Sequence, residues 1–180
     1  MPVSLPNTVT SLGNKVVVIL DTPPAIPNAP TKAELNAGLF AQCHIYGELN
    51  PQATQNTGAA PTKLCSKTED DRLGRVKFGA FDLQYSYLPQ ETATPGAEGN
   101  ELYEVLVPGT EVYAFILDGL DGEETSALDT GDVVNHGFRT QVGEYREGQT
   151  GTGEFDEFST TQSLVPQGGR LLHNYATPAA

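Results

Sequence analysis

Apolar residues along this chain fall in short runs, and most of the runs alternate with polar positions. Val16-Val17-Val18-Ile19-Leu20 is the exception, an unbroken β-branched run that predicts a short buried strand over Lys15–Leu20. Leu39, Ala41, Cys43 and Ile45 share one face and Phe40, Gln42, His44 and Tyr46 the other, which predicts a strand over Leu39–Tyr46 with both faces engaged. From Phe78 to Leu88, the residues Phe81, Leu83, Tyr85 and Tyr87 alternate with Asp82, Gln84 and Ser86, so one face of that strand is core and the other wet. Further strands are predicted over Glu111–Leu117, Phe138–Arg146 and Phe155–Val165, the last two joined by a Gly-rich turn at Gly148–Gly153. Leu102, Val105 and Leu106 recur at helical spacing behind Glu101 and Glu104, predicting a helix over Asn100–Val107 that Pro108-Gly109 stops.

The segments between these elements carry their own signals. Asp21–Pro30 contains four prolines and reads as an extended connector. Thr31 follows it as a helix cap, with Glu34 three residues on, so Thr31 and Glu34 form a predicted capping box. Gly38 is predicted to end that turn in the left-handed conformation. Gly47–Arg75 reads as a long loop, rich in breakers and poor in apolar residues. Residues 1–14 and 167–180 read as terminal arms. The whole is one domain over 1–180, mostly β (α+β by count), with one real helix and no internal repeat.

Composition agrees with that outline. At 180 residues with 38% apolar content, 19 Gly and 13 Pro, the chain suits many short strands joined by turns. Its longest apolar run, Val112–Leu117, falls far short of the roughly 20 residues a membrane span needs. The early run Val16–Leu20 is too short for a signal peptide, so the expectation is a protein used without export. On that expectation the two cysteines, Cys43 and Cys65, read as buried free thiols rather than a bridge. Charge adds more. From Phe78 to Phe138 there is no lysine or arginine, while twelve carboxylates appear (Asp82, Glu91, Glu98, Glu101, Glu104, Glu111, Asp118, Asp121, Glu123, Glu124, Asp129 and Asp132). Such a surface repels nucleic acid, because binding depends on cations displacing counterions from phosphate. It serves solubility, or it forms a wall past which a polyanion moves without sticking.

Candidate chemistry is thin. The chain has no phosphate-binding Gly-x-x-x-x-Gly-Lys loop and no Gly-x-Ser-x-Gly elbow. Gly151-Thr152-Gly153 meets Asp156 where a dinucleotide fingerprint needs glycine, and reads as a hairpin turn. His44, His136 and His173 lack zinc spacing. Asp118–Asp132 has Leu120 where an EF-hand needs its third ligand. No carboxylate pair stands out for glycoside chemistry. The expectation is no catalytic residue, no metal ligand and no cofactor.

Pro30-Thr31-x-x-Glu34-Leu35-x-x-Gly38, followed by a strand and a long loop, resembles the major tail tube proteins of long-tailed bacteriophages, most of all those infecting actinobacteria. In order come Leu64-Cys65, Gly74, Leu83-x-Tyr85, the helix with Leu102 and Leu106, Pro108-Gly109-Thr110, and Val112–Leu117 running into Asp118-Gly119. The resemblance covers about Pro30 to Val165. It implies a β-sandwich or partial barrel flanked by one short helix, with a stacking loop and arms. Six copies would form a ring, and rings would stack into a tube conducting DNA without binding it. Further implied partners are the tail terminator, tape measure and distal tail proteins of the same phage. The implied location is the virion tail, assembled in the host cytoplasm without a membrane. On this basis Asp82, Gln84 and Ser86 are expected to face the lumen, and Gln52, Thr54, Asn56 and Thr57 to belong to the ring-stacking loop. Two alternatives remain: a terminator or head–tail connector that forms one ring, and a stand-alone acidic β-domain binding carbohydrate or calcium.

Overall fold

β-Branched residues crowd into strands that are covered on both sides, and here they define the centre of the molecule. A computed structural model describes residues 10–47, 49, 51–61 and 71–178. In chain order the elements are β1 (Lys15–Leu20), α1 (Lys32–Asn36), β2 (Leu39–Phe40), β3 (Ile45–Tyr46), β4 (Ala53–Ala59), β5 (Asp71–Phe78), β6 (Phe81–Ser86), α2 (Glu101–Val105), β7 (Glu111–Asp118), β8 (Val133–Val142), β9 (Arg146–Gln149) and β10 (Phe158–Ala176). The main sheet runs β2-β1-β7-β8-β10-β6-β3, with β9 also on β10, and every pairing is antiparallel. β4 and β5 form a separate two-stranded sheet. The fold is mostly β, a curled half-barrel with two short helices.

β1 and β7 divide their side chains between two cores. Val17, Ile19, Val112, Ala114 and Ile116 join Leu83, Tyr85, Leu102 and Leu106 on one face, and α2 covers that cluster. Val16, Val18, Phe115 and Leu117 pack with Leu35 of α1, Leu128 and Leu172 on the other. The first cluster unites β1 with β6, which lie near opposite ends of the sheet path, so that face is the inside of the curl. A polar knot sits within it. The Tyr85 hydroxyl donates to Gln162 Oε1, and Gln162 Nε2 donates to the Leu106 carbonyl at 3.0 Å and the Gly143 carbonyl at 2.9 Å. Gln162 is fully buried and Tyr85 is held far above its ordinary pKa by burial, so the knot ties the end of α2, the sheet and the β8–β9 connection together.

Leu39–Tyr46 is not one strand. Its ends are the two edge strands of the main sheet, separated by a turn at Gln42–His44. Five residue steps from Phe40 to Ile45 cover at most about 18 Å, so the sheet's two edges must approach that closely. The turn fastens both: Ala41 N–H donates to the Val17 carbonyl, His44 N–H to Ala41, and Ser86 N–H to His44, at 2.8, 3.0 and 2.9 Å.

Three further expectations are corrected. The stretch 47–75 is not a structureless loop, because β4 and most of β5 occupy it. The C-terminal arm is strand: β10 continues along β8 through Tyr175↔Val134 and Ala176↔Val133. Gly168 and Gly169 have φ of 78° and 92°, and they sit in a register shift that the strand passes through rather than ends at. Phe78–Leu88 breaks at Gly79, whose N–H donates to the Gln52 carbonyl at 3.1 Å. Of the N-terminal arm, residues 1–9 lie outside the described residues, and residues 11–13 form a turn.

Candidate assembly surfaces

The β4–β5 hairpin is exposed along nearly its whole length. Its register pairs Gln55 with Val76 and Thr57 with Leu73, so Gly74 and Arg75 together oppose Asn56. That bulge determines the chemistry of each face, since directly opposed residues share one. Ala53, Gln55, Thr57 and Ala59 share theirs with Phe78, Val76, Leu73 and, at the far end, Asp71, while Thr54 and Gly58 share theirs with Lys77 and Arg72. Gly74 permits the bulge because a Cβ there would stand 2.9 Å from the Asn56 carbonyl oxygen. The hairpin therefore has one face that carries its exposed apolar side chains, Leu73 at 73% and Val76 at 52%, beside Gln55 and Thr57, and a cationic one. It is rooted by Phe78, which meets Phe138 edge-on at 5.2 Å and lies under the Arg170 guanidinium at 5.7 Å. Of the residues expected in a stacking loop, Gln52 sits at the root, and Thr54, Asn56 and Thr57 lie on β4, all exposed. Leu64 and Cys65 lie outside the described residues.

A second surface forms where β6 ends. Asn100 is buried and clamps the chain there, accepting from Leu88 N–H at 2.7 Å and donating to the Leu88 carbonyl at 3.2 Å. Tyr87, Tyr103 and Tyr145 stack beside it, with centroid separations of 5.5 and 4.3 Å. Burial, followed by the nearby Glu147 carboxylate, raises the pKa of both Tyr87 and Tyr103. Leu88, Val107, Phe155 and Phe158 stay exposed around this end. Tyr46 bonds Glu157 nearby, and burial together with that carboxylate pushes its hydroxyl up to about 12.

Asp82, Gln84 and Ser86 occupy the face of β6 opposite the core, across from Ser163, Thr161 and Ser159 of β10. Gln84 Nε2 donates to Ser159 Oγ at 2.9 Å. Asp82 accepts from Ser163 Oγ and pairs with Arg146 at 2.7 Å; the Ser163 bond, the largest influence, together with Arg146 holds its carboxyl below the usual range although burial pushes it up. The strip is polar, and its carboxylate is matched by a cation that sequence distance concealed.

Thr31 and Glu34 are joined at the start of α1. Thr31 Oγ1 accepts from Glu34 N–H at 3.3 Å, and Glu34 accepts from Thr31 N–H at 2.7 Å, which makes both halves of a capping box. Glu34 also accepts from Ala25 N–H at 2.7 Å, fastening the Pro-rich connector. Gly38 does not have the left-handed conformation predicted for it. Ala37 caps the helix with φ −81°, and Gly38 is required because a Cβ there would meet Leu20 Cδ2 at 2.3 Å and the Ile19 carbonyl at 2.9 Å.

Cys43 is exposed, contrary to expectation, because it falls on the turn between the sheet edges, and Cys65 lies outside the described residues. Among the described residues no group of three His, Cys, Asp or Glu is placed to hold a metal, and no helix is long and apolar enough to cross a membrane. In the acidic segment, Asp121 accepts from Glu123 and Glu124 N–H and Asp132 from Asp129 N–H, so these carboxylates close turns.

Fold and surfaces define a class, a β-rich structural subunit that exposes an unpartnered hairpin. The chain belongs to the phage tail tube protein family, whose model matches residues 3–180. It is accordingly a structural component of a bacteriophage tail tube, and that family is not an enzyme class. Among curated proteins none matches the chain.

Proposed function

We propose that this protein forms hexameric rings that stack into the tube through which phage DNA enters the host. One observation carries the reading beyond family membership: a two-stranded hairpin exposed on both faces. An isolated hairpin is at best marginally stable in water, so this one gains its partner on assembly. Gln52, Thr54, Asn56 and Thr57 then belong to the ring-to-ring contact. Asp82, Gln84 and Ser86 supply part of the lumen wall, where Arg146 offsets Asp82 and DNA finds no cationic track to bind. The tail terminator, the tape measure and the distal tail protein are the further partners, and the tube assembles in the host cytoplasm before it becomes part of the virion.

Gly79 N–H reaches the Gln52 carbonyl, so the hairpin's two ends are neighbours. Replacing residues 53–78 by an Asn-Gly turn should leave a folded subunit that makes rings or monomers and no tubes, as seen by negative-stain microscopy. Tubes of ordinary length from that variant would refute the stacking role, and single rings from the unaltered protein would favour a terminator or connector.

A further inference from the structure

The two ends of β6 differ in character. The hairpin enters at Phe81, and the segment carrying Leu88, Glu91 and Glu98 leaves at Ser86. Six strand residues separate these ends by about 20 Å. The hairpin root is directed away from the Ser86 end: Phe78 packs on Phe138, whose β10 partner is Arg170, far along that strand from Phe158. At the hairpin end an apolar face, Leu73 and Val76, is backed by Arg72 and Lys77. Neither cation has a carboxylate within ion-pair distance among the described residues. At the Ser86 end Leu88 and Phe158 are exposed, 44% and 54%; Glu91 N–H donates to the Leu88 carbonyl, Glu98 precedes Gly99, which packs beside Leu88, and Glu147 lies two residues along β9 from Gln149, the partner of Phe158. Arg146, next to Glu147 on β9, is already held by Asp82. Apolar surface rimmed by one charge thus stands opposite apolar surface backed by the other.

We propose that the Leu73–Val76 face docks on the Leu88–Phe158 patch of a second copy of this chain, with Arg72 and Lys77 directed to that copy's carboxylates. This inference rests on the tail tube reading and adds to it the receiving surface and the direction of growth. Each copy presents one hairpin and one patch, so the contact is heterologous and propagates head to tail without closing. Apolar burial supplies affinity, while opposed charge selects the register and rejects hairpin-to-hairpin and patch-to-patch encounters.

Inter-copy cross-linking tests it. In a Cys43→Ser, Cys65→Ser background, Val76→Cys with Leu88→Cys should on oxidation give a ladder at multiples of the 19.2 kDa chain, and either cysteine alone should give dimers at most. Tubes in the micrographs without a ladder would overturn the docking and leave the tail tube reading standing. If the cysteine-free parent forms no tubes while the unaltered chain also forms none, the tail tube reading falls and the docking with it. A second arm does not depend on sulfur geometry. Arg72→Glu with Lys77→Glu should cut tube yield about tenfold or more, the scale of like charges juxtaposed at an interface. Glu91→Lys with Glu98→Lys in the same chain should restore it; tube yield unmoved by the reversal would overturn the inference.

Discussion

Glu34 accepts from three donors, Thr31 N–H, Ala25 N–H and Thr31 Oγ1, and in that order they hold its carboxyl below the ordinary 4.5. Because its folded pKa is depressed, the unfolded chain binds the proton more readily. Its stabilisation is therefore complete above about pH 4.5 and fades as pH falls through the lower folded value. The melting-temperature gap between the wild type and Glu34→Gln should be steady at neutral pH and shrink in acid; a gap independent of pH would contradict the assignment. Thr31→Ala should cost about 1 kcal/mol, and the double mutant with Glu34→Ala less than the sum of the singles, because one reciprocal pair is being broken. Glu34→Ala alone should cost more than Thr31→Ala, since it also frees the connector at Ala25. The pair was legible in the sequence because both halves of the box lie within four residues. Gly38 was identified as necessary for the wrong reason: its requirement is a close approach to β1, a tertiary fact, and Gly38→Ala should cost about 1–3 kcal/mol through the clash with the Ile19 carbonyl.

At the scale of elements, strands buried on one or both faces were readable, because burial writes itself into composition. β1 has the predicted bounds, β7 nearly so, and the alternation of β6 places Phe81, Leu83 and Tyr85 inward. What failed was punctuation. The alternation of Leu39–Tyr46 continues through a turn that contains neither Gly nor Pro, so periodicity ran past the point where the chain crosses between sheet edges. Pro166-Gln167-Gly168-Gly169 reads as a terminator yet is accommodated as an irregularity in β10. β4 is built of Ala, Thr, Gln, Asn and Gly without apolar alternation, since neither of its faces is buried in the lone subunit. The Gln162 knot was equally silent, as its partners come from β6, α2's end and Gly143. Gln162→Leu leaves the Tyr85 hydroxyl and two carbonyls buried without partners, at roughly 1–3 kcal/mol each where no rearrangement relieves them. Its urea midpoint should fall by far more than that of Gln167→Leu, a partly exposed position on the same strand; equal midpoints would mean the knot is dispensable.

Over the whole molecule, charge is divided rather than merely negative. The net charge is −13, yet five of the ten lysines and arginines and only three of the 23 carboxylates lie between Pro51 and Phe78. The remaining chain carries five cations against 20 carboxylates, so in the proposed docking bodies repel bodies while hairpins attract them. Salt weakens both effects, and a bare salt titration of assembly would not separate them. A comparison of chains does. Arg72→Gln with Lys77→Gln removes the attraction and leaves the body's charge and the apolar face of the hairpin in place. Near 0.01 M ionic strength the Debye length is about 30 Å, and the variant should elongate much more slowly than the parent; near 1 M it is about 3 Å, and the two rates should converge. Elongation followed by light scattering across that range reads the difference directly. A gap of constant size would mean that the two side chains act through packing or hydrogen bonds, and that opposed charge does not direct the stacking.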